Sequence, residues 1–186
     1  MPVKSDRWIR EMARSARMIE PFAEEGRCGP GRGVSHGLSA YGYDLRLADE
    51  FRVFAPRQGS VVDPLAFEPE LLEEVRGASC LIPPNAFVLA RSLEYFRIPR
   101  GVIAIGFGKS TYVRCGIIVT LTPFEPEWEG HATLEISNAS PLPARLHAGA
   151  GIAQLLFIEG DEPCLRSYAD KAGRYQASNG ITLACP

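Results

Sequence analysis

Residues 102–137 read VIAIGFGKSTYVRCGIIVTLTPFEPEWEGHATLEIS and hold three short runs of β-forming residues. The runs cover residues 102–107, 115–121 and 132–137, and glycine or proline interrupts the chain between them. Short strands separated by such turn residues are typical of β-barrels and jelly-rolls. This stretch therefore predicts a mainly β domain.

The same pattern continues on both sides of this stretch. Apolar and polar residues alternate over 41–47, and further candidate strands are residues 80–82, 87–91, 152–158 and 164–168. The 15 prolines and 18 glycines are spread along all 186 residues, and no linker or repeat divides the chain. We expect a single domain over 1–186, with a mobile tail at 169–186.

Helices are predicted at only two places. Ser5 is a candidate N-cap, and the apolar residues after it recur at helical spacing, which predicts an amphipathic helix of about three turns. These residues are Trp8, Ile9, Met12, Ala13 and Ala16. A second, short helix is expected over residues 68–75.

Composition excludes several classes of protein. The formal net charge is −2, so bulk attraction to nucleic acid or to a membrane surface is not expected. No apolar run reaches the roughly 20 residues of a membrane span, and the N-terminus lacks a signal-peptide core. The five cysteines are odd in number and widely spaced, which favours free thiols in a reducing cytoplasm.

Residues 108–114, GKSTYVR, resemble the end of a phosphate-binding P-loop. Position 103 is isoleucine where a P-loop needs glycine, and a strand is predicted to follow instead of a helix, so we reject that motif. The segment still brings together a glycine, two hydroxyls and two cations, which suit a triphosphate. A solvated turn is the alternative.

Strand alternation over residues 132–137 separates two faces. Ala132, Leu134 and Ile136 share one face, and Thr133, Glu135 and Ser137 share the other. The polar face either meets solvent or lines a cavity. In a cavity, Glu135 could take a proton from water and return it to a ring nitrogen.

Two further features have both a structural and a functional interpretation. Gln154 is a lone amide in an apolar run, and it could pair with backbone or read a base edge. The tail carries aromatic and basic residues that could form a lid or a disordered end. These are Tyr168, Lys171, Arg174 and Tyr175.

A zinc site is not expected. His36, His131 and His147 are scattered, and the H-x-E…P-C-x-x-C pattern of zinc-dependent deaminases is absent. Any deamination by this chain would therefore activate water without zinc.

A long ordered series of motifs resembles the dCTP deaminase family of the dUTPase-like superfamily. The most specific segments are RCGIIV at 114–119 and EPEWEGH at 125–131, followed by TLE at 133–135 and GIAQ at 151–154. Earlier matches are KSDRWI at 4–9, YGYD at 41–44, IPPN at 82–85, EYFRIPR at 94–100 and GKSTY at 108–112. The resemblance covers nearly the whole chain.

The resemblance implies a distorted β-barrel or jelly-roll that forms a homotrimer, with active sites at the subunit interfaces. It implies hydrolysis of dCTP to dUTP and ammonia, which supplies dUTP for dUMP and dTTP synthesis. Glu135 matches the catalytic base that activates water for attack on C4, and Arg114 and Ser110 match residues that position the water. A bifunctional enzyme that continues to dUMP, and a binding module without catalysis, are the alternatives.

The resemblance also implies a nucleotide-binding set. Its members are Lys109, Ser110, Thr111, Tyr112, Val113, Arg114, Thr133, Leu134, Glu135, Gln154, Tyr168 and Arg174. The tail is expected to close over the nucleotide, and Mg²⁺ is expected to bind through its phosphates. Feedback inhibition by dTTP is a further family expectation.

Two tail residues depart from the family pattern. The family usually has lysine where this chain has Arg174, and glutamine where it has Ser178. Arginine keeps the charge, but serine shortens a contact with the nucleotide. We therefore expect weaker tail closure or weaker triphosphate affinity than is typical.

Overall fold

The computed structural model describes residues 2–24, 33–55 and 57–184. Cys28 and Cys185 lie outside this range. The helices are α1 (Asp6–Ser15), α2 (Ser110–Val113) and a 3₁₀ turn at Pro69–Leu71. The strands are β1 (Ile19–Glu20), β2 (Gly37–Ser39), β3 (Gly42–Phe54), β4 (Leu72–Arg76), β5 (Ser79–Ile82), β6 (Phe87–Arg97), β7 (Val102–Gly108), β8 (Ile117–Thr120), β9 (Glu129–Asn138), β10 (Ala144–His147) and β11 (Gly151–Glu159).

The main sheet is antiparallel and runs in the order β7-β11-β3-β6-β9-β8, with β1 paired to β6 and with β2 and β4 paired to β3. Strands β5 and β10, which are distant in sequence, form a separate two-stranded antiparallel sheet. The mainly β prediction and the helix at 6–15 are confirmed. Ser5 occupies the N-cap position of α1, although its side chain makes no capping hydrogen bond.

The sheet forms a nearly closed barrel, and two glycines of β7 allow residues 119 and 121 to approach it closely. A Cβ atom on Gly106 would lie 3.1 Å from the Leu121 side chain, and one on Gly108 would lie 3.1 Å from Cβ of Val119. Larger residues in β7 would therefore hold β8 away. A further bridge between Ala104 and Phe124 closes the same seam.

The apolar face of each strand fills the interior. In β9 the buried residues alternate with half-buried ones, as predicted, so that Ala132, Leu134 and Ile136 point into the core. Large side chains from other strands, including Phe51, Phe96 and Phe157, are fully buried against them. The opposite face of β9 is consequently left to Thr133 and Glu135.

Three local predictions are wrong. Residues 110–113, where the sequence predicts a turn leading into a strand, form helix α2 before β8 begins. Residues 68–75 form a 3₁₀ turn and strand β4, not a helix, because residues 72–76 pair with residues 50–54 of β3. Residues 164–168 form no strand. There Asp170 Oδ2 accepts a bond from the Ser167 amide (3.0 Å), and the Asp170 amide donates to Ser167 Oγ (3.2 Å), which folds the segment into a turn.

Across the described ranges, no helix combines the length and apolarity needed to span a bilayer.

Candidate active site

The polar face of β9 lines a cavity of about 710 Å³. Thr133 and Glu135 enter it from β9, and Phe87 and Leu89 enter it from the neighbouring strand β6. The C-terminal tail supplies the opposite side. Of the two interpretations of this polar face, the structure therefore supports the cavity and not open solvent.

Glu135 is the ionisable group that stands out in this cavity. Its Oε2 atom is buried, and no described residue forms a hydrogen bond with it. Burial raises the pKa of the Glu135 carboxyl, opposed only by its own backbone amide. A buried carboxyl oxygen without a partner costs free energy, and such groups concentrate where proton transfer takes place.

The tail lies along the edge of β9 and is held there by several hydrogen bonds. The Trp128 indole Nε1 donates to the carbonyl of Tyr175 (2.9 Å), and the amide of His131 donates to the carbonyl of Ser178 (2.8 Å). Further along, the amide of Thr182 donates to Oγ1 of Thr133 (3.0 Å). These contacts place the tail against the strand that carries Glu135.

Tyr168 also lines the cavity, and the structure explains its position. Its amide donates to the carbonyl of Pro126 (2.9 Å), and its hydroxyl accepts a bond from the Tyr175 amide (3.0 Å). Gly173 packs so closely on the ring that an added Cβ would lie 2.2 Å from it. The ring is therefore fixed by the turn that begins the tail.

The segment 109–114 lies elsewhere, on helix α2 and its caps. Ser110, Thr111, Val113 and Arg114 are exposed, whereas the side chain of Tyr112 is buried in the core. Burial raises the pKa of the Tyr112 phenol. The side chain of Tyr112 consequently holds α2 in place, and a ligand would meet its exposed neighbours.

Lys109 is tied to the barrel at the start of this helix. Its Nζ atom forms an ion pair with Oδ2 of Asp44 and donates to Oγ of Ser35 (3.1 Å), and its amide donates to the carbonyl of Ile152 (3.1 Å). The other oxygen of Asp44 is buried and has no hydrogen-bond partner among the described residues. A phosphate would have to compete with Asp44 for this lysine.

The remaining predicted residues are distributed over the surface and the core. Gln154 is half-buried, pairs in register with Asp44, and donates from Nε2 to Oγ of Ser39 (3.1 Å). Leu134 is fully buried, so only its backbone could reach a nucleotide. Arg174 is an exposed residue of the tail.

One chain thus brings together Thr133, Glu135 and Tyr168, but not the other predicted site residues. Among the described residues that line the cavity, none belongs to the segment 109–114, and neither Gln154 nor Arg174 is present. Sequence reasoning gave no role in the site to three other lining residues, Trp128, His131 and Thr182, and it named Tyr175 and Ser178 only as parts of the tail. His131 could have been found, because it lies two and four residues before Thr133 and Glu135 on the same strand face.

Within the described part of the chain, no group of three or more histidine, cysteine, aspartate or glutamate side chains converges to hold a metal.

Comparison with known proteins places this geometry in a family. The family described as dCTP deaminase-like matches residues 3–160. The chain belongs to the dCTP deaminase-like family. A relative named dCTP deaminase from Thiobacillus denitrificans is 58% identical over 186 residues, covering 98% of each chain. Another of that name, from Campylobacter curvus, is 58% identical over 184 residues, covering 98% of this chain and 97% of the relative.

The fold of this family member also matches a solved structure. The 2'-deoxycytidine 5'-triphosphate deaminase from Agrobacterium tumefaciens aligns with a TM-score of 0.63 and 17% identity. The alignment covers 85% of this chain and 48% of that longer one. At this identity the likeness shows a shared fold alone.

Proposed function

We propose that this chain deaminates dCTP to dUTP and ammonia. Relatives more than half identical over nearly its full length carry the name dCTP deaminase. One observation carries the proposal: a buried oxygen of Glu135, for which no described residue is a hydrogen-bond partner, belongs to a side chain that lines a cavity large enough for a nucleoside.

Glu135 acts as the general base and then as the acid. It accepts a proton from a water molecule as that water attacks C4 of cytosine, and the proton is delivered to N3. The C4–N bond of the resulting tetrahedral intermediate then breaks: the proton of the new C4 hydroxyl is transferred to the amino group, which leaves as ammonia, and the C4 carbonyl of uracil forms. The sum is dCTP and water giving dUTP and ammonia. The raised pKa of Glu135 suits a group that must both take and return a proton.

A neighbouring subunit completes the site. The cavity holds Glu135, whereas Ser110 and Arg114 are exposed on a separate part of the same chain. We propose that α2 of one subunit covers the cavity of the next, in a homotrimer with three such sites. The incoming guanidinium would favour the ionised form of Glu135 and stabilise developing charge at the base.

The exposed side of α2 and Arg174 would bind the triphosphate, and the tail at 169–186 would cover it. Phosphate oxygens and water satisfy most of the coordination of Mg²⁺, so binding through the substrate requires few protein ligands. Mg²⁺ bound in this way would neutralise phosphate charge. Inhibition by dTTP and the effect of serine at position 178 stay predictions.

The described cysteines also agree with a cytoplasmic location, which we include in the proposal. Cys80, Cys115 and Cys164 are free thiols, as expected in a reducing compartment.

The products formed from dCTP test this function. We expect dUTP and ammonia in equal amounts from the wild-type protein. Glu135→Gln keeps the shape of the side chain but cannot accept a proton, so its kcat should fall roughly 10²- to 10⁴-fold while dCTP binding is retained.

The same assay separates the alternatives. Formation of dUMP and pyrophosphate from dCTP would indicate the bifunctional enzyme. Binding of dCTP without release of ammonia would indicate a module without catalysis. Near-wild-type turnover by Glu135→Gln would show that another group is the base.

A further inference from the structure

The tail places Thr182 beside Thr133, inside the cavity that contains Glu135. The two Oγ1 atoms are 2.8 Å apart, and the Thr182 amide also donates to Oγ1 of Thr133 (3.0 Å). Both residues line the same cavity. Thr182 thus contributes a second hydroxyl to the site, beside that of Thr133.

Among the described residues, the hydrogen bonds of this pair leave one hydroxyl donor unused. Each threonine hydroxyl carries a single proton, and one of the two protons occupies the bond between them. The other points away from the pair, whichever residue carries it. A free O–H in a half-buried cavity suits an acceptor atom on a ligand.

The position of the pair relative to Glu135 indicates which part of a nucleotide it meets. Thr133 and Glu135 are two residues apart on one strand face, or about 6.6 Å along the strand. A pyrimidine ring with C4 near Glu135 would therefore direct its other edge, or its sugar, towards Thr133. The acceptors there are oxygens of the pyrimidine deoxynucleoside.

We infer that Thr182 is a positioning residue whose hydroxyl pairs with that of Thr133 to present one O–H donor to an oxygen of the bound pyrimidine nucleoside. The inference rests on the proposed function, since it assigns part of the same site. It also gives a role to the return of the chain beyond Ser178 to β9, because the direction of this donor is fixed only when the tail is in place.

Three single variants measured with dCTP test this role. Thr182→Val has the same shape without the hydroxyl, and we expect its KM to rise roughly three- to tenfold with kcat changed by less than KM. Thr182→Ser keeps the hydroxyl and should restore KM to within about twofold. Asp161→Ala is the control, because Asp161 is an exposed residue that lies outside the tail and does not line the cavity. Its KM should equal that of the wild type.

A double-mutant cycle with Thr133→Val asks whether the two hydroxyls act as a unit. We expect Thr133→Val/Thr182→Val to raise KM about as much as Thr133→Val alone, because either change removes the pair. Fully multiplicative effects would overturn the inference. So would an unchanged KM in Thr182→Val, or a Thr182→Ser variant as impaired as the valine.

Calorimetric titration of dCTP in the Glu135→Gln background distinguishes this inference from the proposed function. There the dissociation constant should rise by the same three- to tenfold factor on adding Thr182→Val. If the wild type releases no ammonia but the factor is observed, only the proposed function fails. If the wild type is active and the dissociation constant does not change, only the role of Thr182 fails.

Discussion

Strand β9 and helix α2 both carry predicted site residues, but they differ in whether one chain buries those residues in a cavity. On β9, Glu135 faces a cavity, its carboxyl is partly desolvated, and the tail crosses beside it. On α2, the hydroxyls of Ser110 and Thr111 and the guanidinium of Arg114 are exposed. Strand β9 lines a formed pocket, whereas helix α2 presents polar and charged side chains on the surface.

A general base and its charged partners need not come from the same copy of the chain. No described lysine or arginine lines the cavity beside Glu135, and no residue of the exposed helix lines it either. An apolar patch adjoins that helix, because Phe107, Val113 and Ile118 are each more than half exposed. Such a surface is typical of a contact between subunits.

Mixing two inactive variants gives the largest expected effect. Glu135→Gln lacks the base and Arg114→Ala lacks the cation, so each homotrimer should lose at least roughly 10²-fold in kcat. In a mixed trimer, a site is intact where Glu135 comes from the Arg114→Ala chain and Arg114 comes from the Glu135→Gln chain. About one quarter of all sites in the random population, and one of the three sites in each mixed trimer, should then be active.

Co-expression of the two variants with different affinity tags, followed by tandem purification and an ammonia assay, measures this recovery. The double variant Glu135→Gln/Arg114→Ala, mixed with wild type, controls for exchange of intact subunits. Mixed trimers no more active than either parent would show that α2 and β9 of one chain serve the same site.

Gly130→Ala should weaken the contact between the tail and strand β9. Gly130 has a φ of +147°, and an added Cβ would lie 3.0 Å from the Ser178 amide nitrogen and 3.1 Å from the Trp128 ring. Both strain and contact would displace the tail, which we expect to raise KM for dCTP roughly tenfold.

Gly101→Ala is the control for this change, because no heavy atom outside its chain neighbours lies within 4 Å of an added Cβ. Trp128 fluorescence in a Trp8→Phe background reports tail displacement, since its indole bonds the Tyr175 carbonyl. A Gly130→Ala protein with unchanged KM and emission would contradict the role of this contact.

The smallest expected effect is on stability as a function of pH. In Arg114→Ala, burial would keep the pKa of Glu135 above its value in the unfolded chain. The folded state then holds the proton more tightly, so the free energy of unfolding should fall as pH rises through this raised pKa. The loss should be the smallest of these effects, because the carboxyl is only half-buried and solvent screens it in part.

Urea unfolding at fixed protein concentration measures this slope between acid and neutral pH. Adding Glu135→Gln should remove that part of the pH dependence, because glutamine does not titrate. A slope that persists in the double variant would assign the titration to another group.

Strands with a strong alternation of apolar and polar residues could be predicted from the sequence. A segment that became a strand only by pairing with a distant strand could not. The faces of β9 followed from residues 132–137 alone, and the structure confirms them. The segment 72–76 became a strand because β3 offered it an edge, which local residues cannot signal. The turn at Ser167 and Asp170 likewise depended on side chains meeting backbone amides.

By itself, the sequence determined the mainly β fold, the family and the face of the strand on which Glu135 lies. These follow from periodicity and ordered motifs, which are properties of neighbouring residues. Only the tertiary structure showed that Thr182 meets Thr133 and that Ser110 and Arg114 lie outside the cavity of their own chain. Contacts across 49 residues depend on how the tail closes onto the barrel. No local pattern encodes that closure, because it depends on complementary surfaces that exist only after folding.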